Sequence, residues 1–269
     1  MACADTVLEL REVASGHRKA YIREDLALTA PMKAARHMNE PSKRVAMLSG
    51  ASRGIGAAIA GQLAGAGWDL SLGMRRPAAL ASAPEALLQA YDSESAGAEA
   101  DWVAATLARF GRIDAIICNA GLMVPKSVIS ASEAEMAAMF SVNVFAPQRL
   151  AQAAWPSLAA SGRGRVVVIC SLSGKRVASA GSGAYAMTKF AALGLTHALR
   201  HAGWDEGIRA TAICPGFVAT DMAVAITDMD PVAMTQPEEV ARLVQVALDL
   251  PNTASVPEIA VNGRIEGSF

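Results

Sequence analysis

Short, fully apolar runs recur along this chain, separated by longer stretches in which apolar residues return every three or four positions. The first kind reads as buried strands and the second as helices. From Arg44 onward, "RVAMLSG" (44–50), "WDLSLGMR" (68–75), "ALLQAYD" (86–92), "IDAIICNAG" (113–121), "GRVVVICS" (164–171), "IRATAICPG" (208–216) and "SVPEIAVN" (255–262) predict about seven strands. Pro257 marks the last as irregular or at an edge. Helices are expected in "AAIAGQLAGAG", in "EADWVAATLARFG", and over a long region near 131–160 where Pro147 and Pro156 predict kinks. Two more follow, one carrying Tyr185 and one at "PEEVARLVQVALDL" (237–250), opened by Pro and two Glu. The strands are apolar throughout instead of alternating, so both faces are covered. Strand–helix alternation with right-handed crossovers then gives an α/β, three-layer, doubly wound parallel sheet with helices on both faces. Residues 1–43 break the pattern, being mixed and charged with Pro31 and Pro41. They read as an N-terminal extension ahead of one domain over 44–269.

Composition agrees with a large core: 52% of 269 residues are hydrophobic and 18% charged. A formal net charge of −1 gives no reason to expect nucleic acid or an anionic membrane surface as partner. No apolar run reaches transmembrane length, and charges interrupt the N-terminal stretch, so a cytoplasmic protein is expected. Cys3, Cys118, Cys170 and Cys214 lack a metal-ligand spacing, and the last three read as reduced, buried thiols. His197 and His201 stand four apart, but Ala198 occupies the place where a zinc-protease pattern needs Glu. They read as an exposed helical pair, and no metal is expected.

The first strand runs into "SGASRGIG", with Gly50, Gly54 and Gly56 spaced G-x-x-x-G-x-G around Ser52, Arg53 and Ile55. Glycines let the backbone approach a pyrophosphate closely, and the following helix presents free N–H groups to it. This predicts a dinucleotide site. The second strand ends "LGMRRP", with Met74 where an acid would contact a ribose 2′-hydroxyl and with Arg75 and Arg76 beyond it. Guanidinium groups suit a phosphate, so NADP(H) is favoured and NAD(H) is the alternative.

In "AYAMTKF" (184–190), Tyr185 precedes Lys189 by four, which puts both on one helix face. A free phenol ionises near pH 10, and an acid/base group works best near the working pH. Lowering such a value to about 7 takes roughly 4 kcal/mol of preference for the phenolate, which a neighbouring ammonium can help supply.

Taken in order, "SGASRGIG", "CNAG" (118–121), Asn143, "ICSLSG" (169–174), "YAMTK" (185–189) and "PGFVAT" (215–220) resemble the short-chain dehydrogenase/reductase family over residues 44–262. The resemblance implies a Rossmann fold and hydride transfer at a carbonyl or alcohol. By similarity, Tyr185 is the acid/base, Lys189 its partner and ribose ligand, Ser171 the residue that orients the carbonyl, and Asn143 the holder of a relay water. Asn119, Ala120 and Gly121 pack beside the adenosine, Asp92 contacts the adenine, and Pro215, Gly216, Val218 and Thr220 hold the nicotinamide carboxamide and diphosphate. The family also implies a homodimer or homotetramer through the long helices bearing Asn143 and Tyr185. Two departures stand out. Ser49 replaces the usual Thr, keeping a hydroxyl, and Ser171 lies fourteen residues before Tyr185 instead of thirteen, with Ser173 twelve before it. The extra residue is expected in the loop "KRVASAGSG".

The segment 221–236, with Met222, Val224, Ile226, Met229, Val232 and Met234, is expected to cover the substrate, and these residues serve equally as substrate contacts or as the lid's own core. No basic clamp appears in it, which favours an uncharged small-molecule ketone, aldehyde or secondary alcohol. The alternative function is a dinucleotide-sensing regulator on the same fold. Epimerase chemistry, which also uses Tyr and Lys, lacks room here for its larger C-terminal region.

Overall fold

Seven strands, β1 (Val45–Ser49), β2 (Asp69–Met74), β3 (Leu87–Ala90), β4 (Ala115–Cys118), β5 (Arg165–Ile169), β6 (Arg209–Pro215) and β7 (Glu258–Val261), pair in parallel in the order β3-β2-β1-β4-β5-β6-β7. This is seen in a computed structural model that describes residues 43–265. The N-terminal extension expected over 1–43 therefore lies outside the described residues, apart from Lys43. Every residue of β1, β4 and β5 is buried, as a parallel sheet covered on both faces requires. Full burial of side chains such as Met47 and Leu48 contributes about 1.5–3 kcal/mol each. The edge strands β3 and β7 are only half-buried, and Pro257 stands immediately before β7, matching its expected edge position.

Two helices, α1 (Gly54–Gly65) and α7 (Pro237–Asp249), cover one face through Ile59, Leu63, Val240, Val244 and Leu248. The other face is covered by α2 (Ala98–Phe110), α4 (Ala146–Ala160) and α5 (Gly183–Ala202), through Trp102, Leu150, Leu158 and Ala192. The three-layer doubly wound fold is thus as expected. Strand order reverses between β1 and β4, so a crevice opens at the carboxyl ends of those two strands.

The long helical region expected near 131–160 divides in an unforeseen way. Helix α3 (Glu133–Phe140), capped by Ser132, passes into a π-helical turn at Ser141–Phe145 and then into α4. In an α-helix the N–H of residue 147 would bond the Asn143 carbonyl, but Pro147 has no N–H. The wide turn accommodates this, with the Ala146 N–H donating to Ser141 O. Pro156 lies inside α4 without ending it.

Candidate functional site

The cleft at the switch point has a volume of about 1020 Å³. Its floor is the glycine turn. Gly50 adopts φ 67°, and a Cβ there would lie 2.9 Å from Ala120 Cα, so the turn and the strand end after β4 touch backbone to backbone. Ser49 fastens this contact: its Oγ accepts from the N–H groups of Asn119 (3.0 Å) and Ala120 (3.1 Å). Asn119 Nδ2 donates back to the carbonyls of Ser49 (3.1 Å) and Gly50 (3.0 Å). The hydroxyl retained in place of the family's threonine is therefore fully used.

Helix α1 begins at Gly54 with no side-chain cap and no acid in its first turn. Its first N–H groups are left for an anion, which is the chemistry a pyrophosphate needs. Beyond β2, Met74 is buried and offers no carboxylate, whereas Arg75 and Arg76 are exposed on the cleft wall. Arg53 differs from expectation in one respect. Its Nη1 donates to Asp221 Oδ2 at 2.5 Å, joining the glycine turn to α6 (Asp221–Val224), the first element of the lid. Both groups are largely exposed, so the pair contributes at most about 1 kcal/mol and yields readily to a phosphate.

Below the far end lies a feature that sequence reasoning missed. Tyr91 lines the cleft, stacks on Trp102 (centroids 4.7 Å) and donates to the buried Glu99 at 3.0 Å. Arg149 pairs with the same carboxylate and donates to Ser93 O. Burial, then the charge of Glu99, holds the Tyr91 phenol well above its ordinary value, so it stays a neutral donor. Asp92, at this end, accepts from the Glu94 N–H in its own turn.

At the near end, α5 delivers Tyr185 and Lys189 to the same cleft. Lys189 is buried; its Nζ donates to Ile169 O at 2.9 Å and lies 5.5 Å from the centre of the Tyr185 ring. Ser171 ends the β5 segment and also lines the cleft, and its Oγ accepts from the Ser173 N–H at 3.1 Å. Its own proton is left to donate elsewhere. Ser173 lines the cleft too. Between Ser171 and Tyr185 the chain makes two short 3₁₀ turns, Leu172–Gly174 and Ala180–Ser182, the second of them inside the loop expected to hold the extra residue. Asn143 is the one predicted residue not on the cleft wall. Its side chain is held by the Leu122 backbone, donating to O and accepting from N–H, both at 2.8 Å, and by Thr188 Oγ1 at 2.9 Å. The remaining predicted residues, from Gly50 through Thr220, all line the cleft.

The lid residues divide. Met222 and Ile226 face the cleft, Met234 is core, and Val224 and Val232 are exposed away from it. His197 also departs from the expected exposed pair: its Nε2 lies 2.7 Å from Glu258 Oε1, and Glu258 also pairs with Lys175. Lys175, then His197, hold the Glu258 carboxyl below its usual range. Cys118, Cys170 and Cys214 are free and buried, as expected, and burial pushes the Cys118 thiol up to about 12. No group of three or more potential metal ligands occurs among the described residues.

The profile of the short chain dehydrogenase family matches residues 44–231. The chain belongs to that family. Within it, the agropine synthesis reductase of Rhizobium rhizogenes is 42% identical over 223 residues, covering 81% of this chain and 52% of that protein. The chain thus spans about half the length of that relative. The acetoacetyl-CoA reductase of Rhizobium meliloti is 31% identical, covering 75% of this chain and 89% of the relative. Among solved short-chain dehydrogenase folds, an alcohol dehydrogenase from Thermococcus sibiricus complexed with 5-hydroxy-NADP superposes with a TM-score of 0.74 at 29% identity, covering 83% of this chain and 99% of its own. A Burkholderia cenocepacia short chain dehydrogenase in complex with NADP gives 0.72 at 28%, covering 82% and 97%.

Proposed function

We propose that this short-chain dehydrogenase is an oxidoreductase that transfers hydride between NADP(H) and a carbonyl compound or its secondary alcohol, with Tyr185 as general acid/base. The convergence of Ser171, Tyr185 and Lys189 on the cleft that starts at the glycine turn carries this reading. Bound there, the dinucleotide supplies or accepts the hydride. The fit rests on the uncapped α1 terminus and on the close backbone approach at Gly50. Arg75 and Arg76 beside a strand end without an acid favour the 2′-phosphate form, as do the NADP ligands of related structures.

In the reducing direction, Tyr185 gives its proton to the carbonyl oxygen while the Ser171 hydroxyl donates to the same atom. The phenolate that results stands beside the Lys189 ammonium, which Ile169 O keeps from swinging away. The Asn143 side chain is committed to Leu122 and Thr188, and the Asn143 main-chain carbonyl lacks the amide that position 147 would normally provide. That carbonyl is suited to hold the water that returns a proton to Lys189. Positioned acid/base groups of this kind contribute about 10²–10⁴-fold. Met222 and Ile226 over the site suit an uncharged reacting half of the substrate. Three free thiols suit a reducing, cytoplasmic setting.

Assay of ketones, aldehydes and secondary alcohols, with NADPH/NADP and NADH/NAD in parallel, tests the proposal. Turnover is expected with NADPH favoured at least about tenfold, and Arg75→Ala is expected to narrow that ratio, since each charge-assisted contact contributes roughly 1.5–3 kcal/mol. Silence across the panel with intact dinucleotide binding would instead support the sensing regulator.

We also propose a homo-oligomer. Met187 and Phe190 on the outer side of α5, and Phe145 in the adjoining π turn, are each nearly half exposed, an apolar face that a second copy would cover. Light scattering should report a dimer or tetramer, and Phe190→Glu should lower the mass. A monomer at tens of micromolar wild-type protein would sink the idea.

A further inference from the structure

The far wall of the cleft is held from behind by an ion pair that does not itself reach the cleft. Tyr91, Asp92 and Ser93 follow β3 and line the cleft together with Met74, Arg75 and Arg76. The Tyr91 N–H donates to Met74 O at 2.9 Å, so this stretch stands at the carboxyl edge of β2 and β3, next to the start of the two arginines. Asp92 is gripped on both sides. Before it, the Tyr91 hydroxyl donates to Glu99 Oε1 at 3.0 Å. After it, the Ser93 carbonyl accepts from Arg149 Nη2 at 2.9 Å, while Arg149 Nε donates to the same Glu99 oxygen at 3.0 Å. Glu99 belongs to α2 and Arg149 to α4, and neither lines the cleft.

Stability alone is a weak reason for this arrangement. Glu99 is only 2% exposed, and its Oε2 has no hydrogen-bond partner among the described residues. The desolvation of two buried charges offsets most of their attraction, and an unpaired carboxylate oxygen adds to the cost. Apolar residues of similar volume would fill the space between α2 and α4 at least as well. They could not fix a phenol hydroxyl and a main-chain carbonyl on either side of one residue. The guanidinium and carboxylate together can, because the planar fork presents its donors in a set geometry. Resting on the dinucleotide reading above, we infer that Arg149 and Glu99 are positioning residues for the cofactor: from outside the cleft they set the wall against which its adenosine half lies. They act on cofactor affinity and leave the hydride step, at the other end, alone.

The double variant Glu99→Gln with Arg149→Met removes both charges together, so neither is left buried alone, and it keeps an acceptor for Tyr91. Calorimetric titration of the full chain with NADPH, and with adenosine 2′,5′-bisphosphate as its phosphorylated nucleoside half, reads the effect without turnover. Both ligands should weaken by the same factor, about fivefold or more, as for one lost charge-assisted hydrogen bond. NADH and adenosine 5′-phosphate replace them if that pair binds the wild type more tightly. Arg149→Lys, which keeps the charge without the fork, should fall between. With a carbonyl that the wild type reduces, kcat at saturating cofactor should stay within about twofold, so that the loss lies in KM. Should the double variant fail to fold, Tyr91→Phe keeps the ring on Trp102, frees the other side of Asp92 and should weaken the same two ligands. A merely structural pair would lower the melting temperature and leave both affinities unchanged, and that result overturns the inference. So does a loss of NADPH affinity that the nucleoside fragment does not share. If the wild type binds neither dinucleotide, the dinucleotide reading itself fails and the inference falls with it.

Discussion

Tyr185→Phe should lower kcat/KM by about 10³-fold while leaving NADPH affinity within about threefold and thermal stability nearly unchanged. The size follows from what is deleted. Phe keeps the ring that faces Lys189 Nζ at 5.5 Å, so the local packing and cation–ring contact persist. Only the hydroxyl proposed as proton carrier is lost, and positioned acid/base groups contribute about 10²–10⁴-fold. Tyr185 is half-buried at an open cleft, so removing its hydroxyl opens no cavity in the core. Steady-state rates, NADPH fluorescence titration and a melting curve on the same preparation check all three parts. Wild-type-like turnover by the Phe variant would remove Tyr185 from the chemistry, whatever its position.

Gly56→Ala should do the opposite, damaging dinucleotide binding first. A Cβ at position 56 would lie 2.1 Å from the Gly50 carbonyl oxygen and 2.7 Å from Asn119 Nδ2. The nearest obstacle is backbone, so no flexible side chain can swing aside. The carbonyl must move, and with it the 3.0 Å hydrogen bond from Asn119 that joins the two strand ends. Overpacking of this kind costs about 1–3 kcal/mol or more. Because the strain falls on the turn that would cradle the pyrophosphate, NADPH affinity should fall at least about tenfold. Gly65→Ala, at the other end of α1, serves as control. Nothing lies within 4 Å of a Cβ there, and the substitution should stabilise the protein by at most about 1 kcal/mol. Equal NADPH affinity in the two variants would contradict the steric account of the turn.

Much of this was legible in the sequence, for identifiable reasons. The central strands announced themselves because a parallel sheet buried on both faces demands unbroken apolar runs, as in "VAMLS" and "RVVVI". Edge strand β3 gave a weaker signal because only part of it is covered. The glycine turn and the Tyr185–Lys189 pair were readable because their geometry is local, set by neighbouring dihedrals and by helical spacing. The π turn at 141–145 was not, since widening one turn leaves the residue pattern almost unchanged; Pro147 hinted at a disturbance without revealing its form. Contacts made only by folding were also hidden. His197 meets Glu258 across sixty-one positions, and Arg53 meets Asp221 across 168.

The division of labour within the sheet has an evolutionary corollary. Its buried strands fix where the glycine turn and the tyrosine helix stand, whereas Met222 and Ile226 of the 221–236 segment and Asn262 beyond β7 reach the same cleft from less regular stretches of the chain. Descendants of this gene could therefore acquire new substrates by altering those two stretches, while inheriting the hydride apparatus intact.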